Sequence, residues 1–332
     1  MENITKKRML SGIKPTGKLT LGNYIGAIKQ FITYQEEYEM FVFIADLHAL
    51  TLPIDPRELR QNTKDLISIY LACGLDPEKV VLFKQSDVHE HAELGYIMAC
   101  NSNMGELSRM TQYKDKTAKI GNNESIPTGI YIYPTLMAAD ILLYDPDYIP
   151  VGVDQKQHVE LTRDLAIRFN SRYSDTFKVV EPVTAKTGAK INSLANPNKK
   201  MSKSESDKGT IYLLEDLAIT RKKIMSAVTD SDTSIVFDME NKPGISNLLT
   251  IMSALTNEDV NDIAARYNGQ GYGTFKKAVA DVVCAELEVL QAKVKEIQAS
   301  GIIDKVLEDG AMKASYVARK KLSKVYRKVG LR

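Results

Sequence analysis

The stretch Ser11-Gly12-Ile13-Lys14-Pro15-Thr16-Gly17-Lys18-Leu19-Thr20-Leu21-Gly22-Asn23-Tyr24-Ile25-Gly26-Ala27 decides how this chain folds. It follows a short apolar run ending at Leu10 and opens what reads as a helix through Phe31 and Ile32. Glycines 12, 17 and 22 let the backbone turn tightly and come close to a ligand. The helix start at Gly22-Asn23 offers free N–H groups and a positive dipole end to an anion. The spacing is neither GxGxxG nor GxxxxGK[ST], which disfavours a dinucleotide fold and a Walker-type nucleotide hydrolase. By itself such a segment serves equally well as a structural turn.

Outward from it, Met9–Ile13, Met40–Ala45 and Val80–Phe83 are apolar runs bounded by polar or turn residues, and they read as short buried strands. Between the last two, Asp55 can cap a helix and Pro56 suits its first position. Leu59, Leu66, Ile69, Tyr70 and Cys73 recur at helical spacing before Gly74 ends it. Strands alternating with helices imply an α/β fold with a parallel sheet and right-handed crossovers. Ligands in such sheets bind at the carboxyl ends of strands, where the glycine-rich turn lies. Further helices are expected from Pro134 to Tyr144 and from Asp154 to Asn170. Thr184 to Gly209 is polar and reads as a long mobile loop. Beyond it, Val283, Leu287, Leu290, Val294 and Ile297 form one apolar helical stripe.

That loop carries a second signal, Lys199-Lys200-Met201-Ser202-Lys203-Ser204. Lysine is a movable point charge and serine adds hydroxyl hydrogen bonds, so the pair of types suits a triphosphate; a solvated loop would have the same composition. The two segments together resemble the paired signatures of class I aminoacyl-tRNA synthetases, Thr20-Leu21-Gly22-Asn23 being similar to the first and Lys200–Ser204 to the second. Tyr133-Pro134-Thr135-Leu136-Met137-Ala138-Ala139-Asp140 and Gly152-Val153-Asp154-Gln155-Lys156-Gln157-His158 resemble the amino-acid pocket and ATP ribose segments of the bacterial tryptophanyl members. Departures are Thr20 and Asn23 where most of the class has histidines, Lys14 where relatives often have Gln, and Leu10 where some have an aromatic residue.

The resemblance implies a Rossmann-like catalytic domain over residues 1–205, with the signature loop at 195–209, and a C-terminal α-helical tRNA-binding domain over 206–332. It implies ATP with Mg²⁺, L-tryptophan and tRNA(Trp) as partners, and a homodimer. Lys200, Lys203, Thr20 and Asn23 then take catalytic places. Lys14, Pro15, Thr16, Gly22, Asn23, Gly152, Val153, Asp154, Ile191, Lys200, Met201, Ser202, Lys203 and Ser204 take the ATP site. Asp140, Tyr133, Met137, Gln155 and His48 take the tryptophan site. A tyrosyl-tRNA synthetase, an adenylyl-forming ligase and a non-catalytic RNA-binding paralogue remain as alternatives.

Among these, Asp140 has physical content of its own. Its helical neighbours Leu136, Met137, Leu143 and Tyr144 are apolar. A carboxylate on such a face is costly without a partner, which is either local backbone or a ligand. The resemblance makes it the acceptor of an indole N–H. His48 follows the second strand and is placed to line the pocket. His89 and His91 flank Glu90 without a further ligand cluster, so no metal site is expected.

Composition bounds the rest. The 332 residues carry a net charge of +2, which excludes a strongly basic wrapping protein but not a local nucleic-acid surface. Cys73, Cys100 and Cys284 form no CxxC and indicate a reducing compartment. Met1 to Arg8 is polar, without the apolar core of a signal peptide, and no apolar run reaches membrane-spanning length, so a cytoplasmic protein is expected. Residues 311–332 hold eight basic residues and no acidic one. Apolar marks at Met312, Tyr316, Val317, Leu322 and Val325 suggest a helix docked by one face, with the other free for phosphate or solvent.

Overall fold

The structure, a computed structural model, describes residues 6–119, 125–152, 155–181, 183–184, 188–202 and 207–331, the side chains of 116, 119, 183 and 184 excepted. Strand β1 (Arg8–Ile13) pairs in parallel with β2 (Glu39–Ile44), Met9 opposite Met40 and Ile13 opposite Ile44. β2 pairs in parallel with β3 (Val80–Lys84). On the far side of β1, a parallel bridge from Met9 to Tyr148 leads into the short parallel pair β4 (Pro150–Val151) and β5 (Val183–Thr184). The strand order is therefore β3-β2-β1-β4-β5, the Rossmann-like α/β arrangement the sequence implies.

The first crossover runs through α1 (Leu21–Asn23), a π turn (Tyr24–Ile28) and α2 (Lys29–Glu37) as one continuous helical segment. α3 (Asp46–Ala49) and α4 (Pro56–Ala72) form the second. Asp55 caps α4 as expected, accepting from the N–H groups of Arg57 and Glu58 at 2.8 and 3.1 Å. After β3 come α5 (Glu90–Asn101), α6 (Met104–Ser108), α7 (Thr111–Lys119) and α8 (Thr128–Leu142), then α9 (Lys156–Tyr173). α8 begins at Thr128 rather than Pro134, so the proline lies inside the helix. Ile130, Tyr133, Pro134, Ala138 and Ala139 are buried there, and tertiary packing overrides the local cost of a missing N–H. The rest is α10 (Leu217–Met225), α11 (Pro243–Thr256), α12 (Val260–Tyr267), α13 (Tyr272–Ser300) and α14 (Ile302–Val329).

Alternation along the strands splits the core in two. Met9, Met40, Val42, Ile44, Val80 and Leu82 face one cluster, with α4, α11 and α13. Leu10, Phe41, Phe43 and Phe83 face the other, with α5, α8 and α9. A sheet covered on both faces explains why these strands read as continuous apolar runs. Both clusters draw on residues on each side of position 205. α14 belongs to both: Ile303, Val306 and Leu307 join the first cluster, whereas Ala314, Ala318, Leu322 and Val325 join the second. The helix thus crosses the sheet at its edge strand, β3, and covers that edge. Of the expected docking face, Leu322 and Val325 are buried and Val317 packs against the second cluster, whereas Met312 and Tyr316 are 60% and 76% exposed. Gly310, Ala314 and Ala318 take the buried positions between Leu307 and Leu322, where the helix comes close to the β3 backbone.

Gly310 marks the crossing. A Cβ at that position would lie 1.8 Å from the carbonyl oxygen of Leu82, a backbone atom. Gly310→Ala therefore destabilises the protein although alanine is the better helix former by about 1 kcal/mol. Overpacking against backbone outweighs that gain, for a net loss of about 2 kcal/mol, read as a lower midpoint of urea-induced unfolding.

Candidate active site

At the carboxyl ends of β1 and β2 lies a cavity of about 380 Å³. Its walls include Gly12, Lys14, Phe43, Met137, Ile149 and Gly152, with His48, Tyr133, Asp140 and Gln155 among the polar groups. All five residues assigned to amino-acid binding from sequence therefore line one cavity. Gly12 is required by close approach, since a Cβ there would sit 2.5 Å from the Phe43 ring. Lys14 stands at the wall, its Nζ 3.5 Å from Thr51 Oγ1, and also lines a second hollow with Pro15, Gly17 and Glu215.

Asp140 is 1% exposed. Its Oδ1 accepts from Gln85 Nε2 at 2.7 Å and from His91 Nδ1 at 2.6 Å, and its Oδ2 accepts from His48 Nε2 at 2.8 Å. Burial works against the charge, but the hydrogen bonds and fields of His48 and His91 outweigh it and hold the carboxyl at about 2. Neither sequence alternative anticipated this, because the partners are side chains from other elements. The Tyr133 hydroxyl meets His158 Nε2 at 2.7 Å and Gln112 Oε1 at 3.2 Å, and burial pushes its pKa up to about 12.

The signature segments come together with each other, Gly22 lying against Met201. Thr20 caps α1 reciprocally with Asn23: the Thr20 Oγ1 accepts from the Asn23 N–H at 3.2 Å, and Asn23 Oδ1 accepts from the Thr20 N–H at 3.0 Å. Gly22 is buried, with room for a Cβ only 3.4 Å from Met201 Cβ. Met201 is 2% exposed and donates its N–H to the Ile191 carbonyl at 3.0 Å. Ile191, Leu194 and Met201 are core residues, so the described part of the 184–209 stretch is held by apolar burial, contrary to the purely polar loop expected. Ile191 and Met201 lie in the core behind Gly22, whereas Lys200 is exposed at a bridge to Asn192. Pro15 is buried, and Thr16 and Ser202 are half-buried. Val153, Asp154, Lys203 and Ser204 lie outside the described residues. Among the described residues no trio of His, Cys, Asp or Glu is grouped to hold a metal ion, and no helix is long and apolar enough to cross a membrane.

Three residues were missed in the sequence. Gln85 directly follows β3, so the rule for strand carboxyl ends points to it. His91 was weighed only as a metal ligand and rejected as one, with no other role assigned. Lys223 sits in a run of three basic residues that looks like a solvated face, yet it is 7% exposed. Its Nζ donates to the Thr210 carbonyl at 2.8 Å and to Glu215 Oε2 at 2.6 Å. Thr210 Oγ1 in turn donates to the Ser202 carbonyl at 3.0 Å. Lys223 also lies 5.1 Å from the centre of the Tyr212 ring, and Tyr212 bridges to Thr20. One ammonium thus ties both signature segments to α10.

The family model for tRNA synthetases class I (W and Y) matches residues 3–288. The chain belongs to this family of class I tRNA synthetases. Within it the similarity is to tryptophan–tRNA ligases: that of Listeria monocytogenes serotype 4b is 52% identical over 327 residues, 98% of each chain. That of Caldanaerobacter subterraneus is 50% identical over 326 residues, again 98% of each. The crystal structure of a Campylobacter jejuni tryptophanyl-tRNA synthetase complexed with ADP and tryptophan superposes with a TM-score of 0.87 at 38% identity, covering 98% of this chain and all of that one. A tyrosyl-tRNA synthetase from Aeropyrum pernix, at 19% identity and a TM-score of 0.65, shares the fold.

Lys223→Met leaves the Glu215 carboxylate, 11% exposed, without its ammonium partner. Breaking a buried pair costs about 3 kcal/mol. The expected outcome is a lower thermal midpoint, partly recovered in the Lys223→Met/Glu215→Gln double variant.

Proposed function

We propose that this chain is a tryptophan–tRNA ligase. It activates L-tryptophan with ATP and transfers the product to tRNA(Trp). One observation carries the reading: a buried, ionised Asp140 in the wall of a cavity that also offers Phe43, Met137, Ile141 and Ile149, which suits an apolar ring bearing a single N–H donor. A site built around a hydrogen bond rejects an analogue lacking the donor far more strongly than an apolar pocket does. The similarity at 50% and more to tryptophan–tRNA ligases supports the same substrate.

In the first step a tryptophan carboxylate oxygen bonds to the α-phosphorus of ATP as the bond to the β-phosphate bridging oxygen breaks and pyrophosphate leaves. The nucleophile is already an anion, so no general base is needed. In the second step a ribose hydroxyl of the terminal tRNA adenosine attacks the acyl carbon and AMP leaves. Catalysis is positioning together with stabilisation of phosphate charge. Tyr133 and Gln155 hold the amino end, with Met137 against the ring and His48 beside it. Gly152, Val153 and Asp154 take the ribose, and Ile191 backs the adenine side. Lys14, Pro15, Thr16, Thr20, Gly22 and Asn23 meet the phosphates from one side. Lys200, Ser202, Lys203 and Ser204 meet them from the other, on a segment that the buried Met201 anchors. Mg²⁺ bound to the triphosphate would neutralise part of its charge. The active form is a homodimer in the cytoplasm, with residues 1–205 as the catalytic part and 206–332 contributing the tRNA contacts.

Amino-acid-dependent ATP–pyrophosphate exchange tests the reading: tryptophan supports exchange and tyrosine does not, whereas the reverse preference refutes it. Asp140→Asn presents an amide NH₂ as readily as an oxygen, so kcat/KM for tryptophan falls about 100-fold while the fold persists. An unchanged kcat/KM removes Asp140 from substrate selection.

The C-terminal charge serves tRNA through the exposed side of α14, where Lys313, Lys320 and Arg327 project to solvent. Changing these three to Glu raises the KM for tRNA about tenfold and flattens its salt dependence. Pyrophosphate exchange stays at the wild-type rate. A uniform fall in exchange and aminoacylation would assign the charges to stability instead.

A further inference from the structure

Asp140 is held from two sides that differ in kind. His48, the donor to Oδ2, lines the cavity with Asp140 itself. Gln85 and His91, the donors to Oδ1, are 0% exposed and lie among core residues behind it. A carboxylate oxygen accepts about two hydrogen bonds. Oδ1 is therefore filled from the core side, whereas among the described residues Oδ2 accepts from the cavity-lining His48 alone, which leaves it one further position.

The His91 ring is fixed at its other end as well. Its Nε2 lies 2.8 Å from the Tyr144 hydroxyl, and the ring packs between Phe43, Phe83 and Tyr144 with centroid separations of 5.6, 5.9 and 5.5 Å. Since Asp140 can only accept, His91 Nδ1 is the donor to it, and in the neutral ring Nε2 accepts from the Tyr144 hydroxyl. Burial, then the charges of Asp140 and Glu90, keep the Tyr144 proton in place. The chain of donors runs one way, from Tyr144 through His91 to Asp140.

We propose that His91, backed by the Tyr144 hydroxyl, is a positioning residue for amino-acid selection. With Gln85 it fills Oδ1 of Asp140 from behind and fixes the plane of the carboxylate, so that Oδ2 offers one acceptor to a ring N–H in the cavity. The inference rests on the reading of Asp140 as the acceptor of the substrate's indole N–H. Removing His91 frees the carboxylate to rotate, and the penalty falls on substrates that carry the donor.

The test measures pyrophosphate exchange with tryptophan and with benzothienylalanine, in which sulfur replaces the indole N–H. Wild type, His91→Leu, His91→Asn and Tyr144→Phe are compared. In His91→Leu the KM for tryptophan rises about tenfold, while the KM for ATP and for the sulfur analogue stays constant. His91→Asn, whose amide can stand in for the Nδ1 donor, recovers most of the loss. Tyr144→Phe shifts the tryptophan-to-analogue ratio in the same direction by about threefold. Equal loss for both amino acids, or an unchanged ratio, overturns the proposal. Should His91→Leu not fold, the ratios in His91→Asn and Tyr144→Phe decide: wild-type discrimination in both overturns it. A wild-type protein with no tryptophan-dependent exchange refutes the assigned function instead.

Discussion

An ionised carboxylate with 1% exposure has to be matched by donors that cannot move away, and this requirement organises the centre of the molecule. Asp140 draws one donor each from α3, from the residue after β3 and from α5, while it sits on α8. Four pieces of chain are thereby brought to fixed positions at the carboxyl ends of the strands. The cavity they surround mixes apolar walls with polar groups, and Asp140 is its one acidic residue among those described. Such a pocket is organised before substrate arrives, which limits the reorganisation that binding has to drive.

The nucleotide side obeys a different constraint. Here packing of small and apolar groups sets the geometry: Gly22 lies against Met201, and a Cβ at Gly188 would sit 2.5 Å from the Ile25 carbonyl. Gly26, inside the π turn, accepts from the Gly188 N–H at 3.0 Å, so the widened helical turn gives its carbonyl to another segment. The signature residues thus serve two purposes. Met201 and Ile191 anchor the second segment, and Lys200 is left on the exposed side. Lys223 then joins the second signature to the first, reaching Ser202 through Thr210 and Thr20 through Tyr212.

Much of the sheet was legible because its signals are local. β1 to β3 are bounded apolar runs, and α4 carries its cap, its first-turn proline and its terminal glycine within twenty residues of sequence. The cavity residues were legible through motif resemblance, and the structure brings Asp140, Tyr133, Met137, Gln155 and His48 to one place. What escaped depends on distant partners. Nothing near His91 announces that its two ring nitrogens are taken by Asp140 and Tyr144, roughly fifty residues on. The inner face of α14 was legible at Leu322 and Val325 and escaped nearer β3, where Gly310, Ala314 and Ala318 are buried and hydrophobic patterning favours the larger Met312 and Tyr316. The start of α8 was misplaced because a proline reads as a beginning until burial of the preceding turn is known.

The edge crossing by α14 has a consequence for incomplete products of synthesis. A chain stopped before residue 302 would contain both signature segments and every residue of the cavity. It would nevertheless leave β3 without the helix that covers its edge and would open both apolar clusters. An uncovered edge strand invites pairing with other chains. Interrupted translation therefore yields polypeptides that hold every cavity residue and yet expose a strand edge open to aggregation.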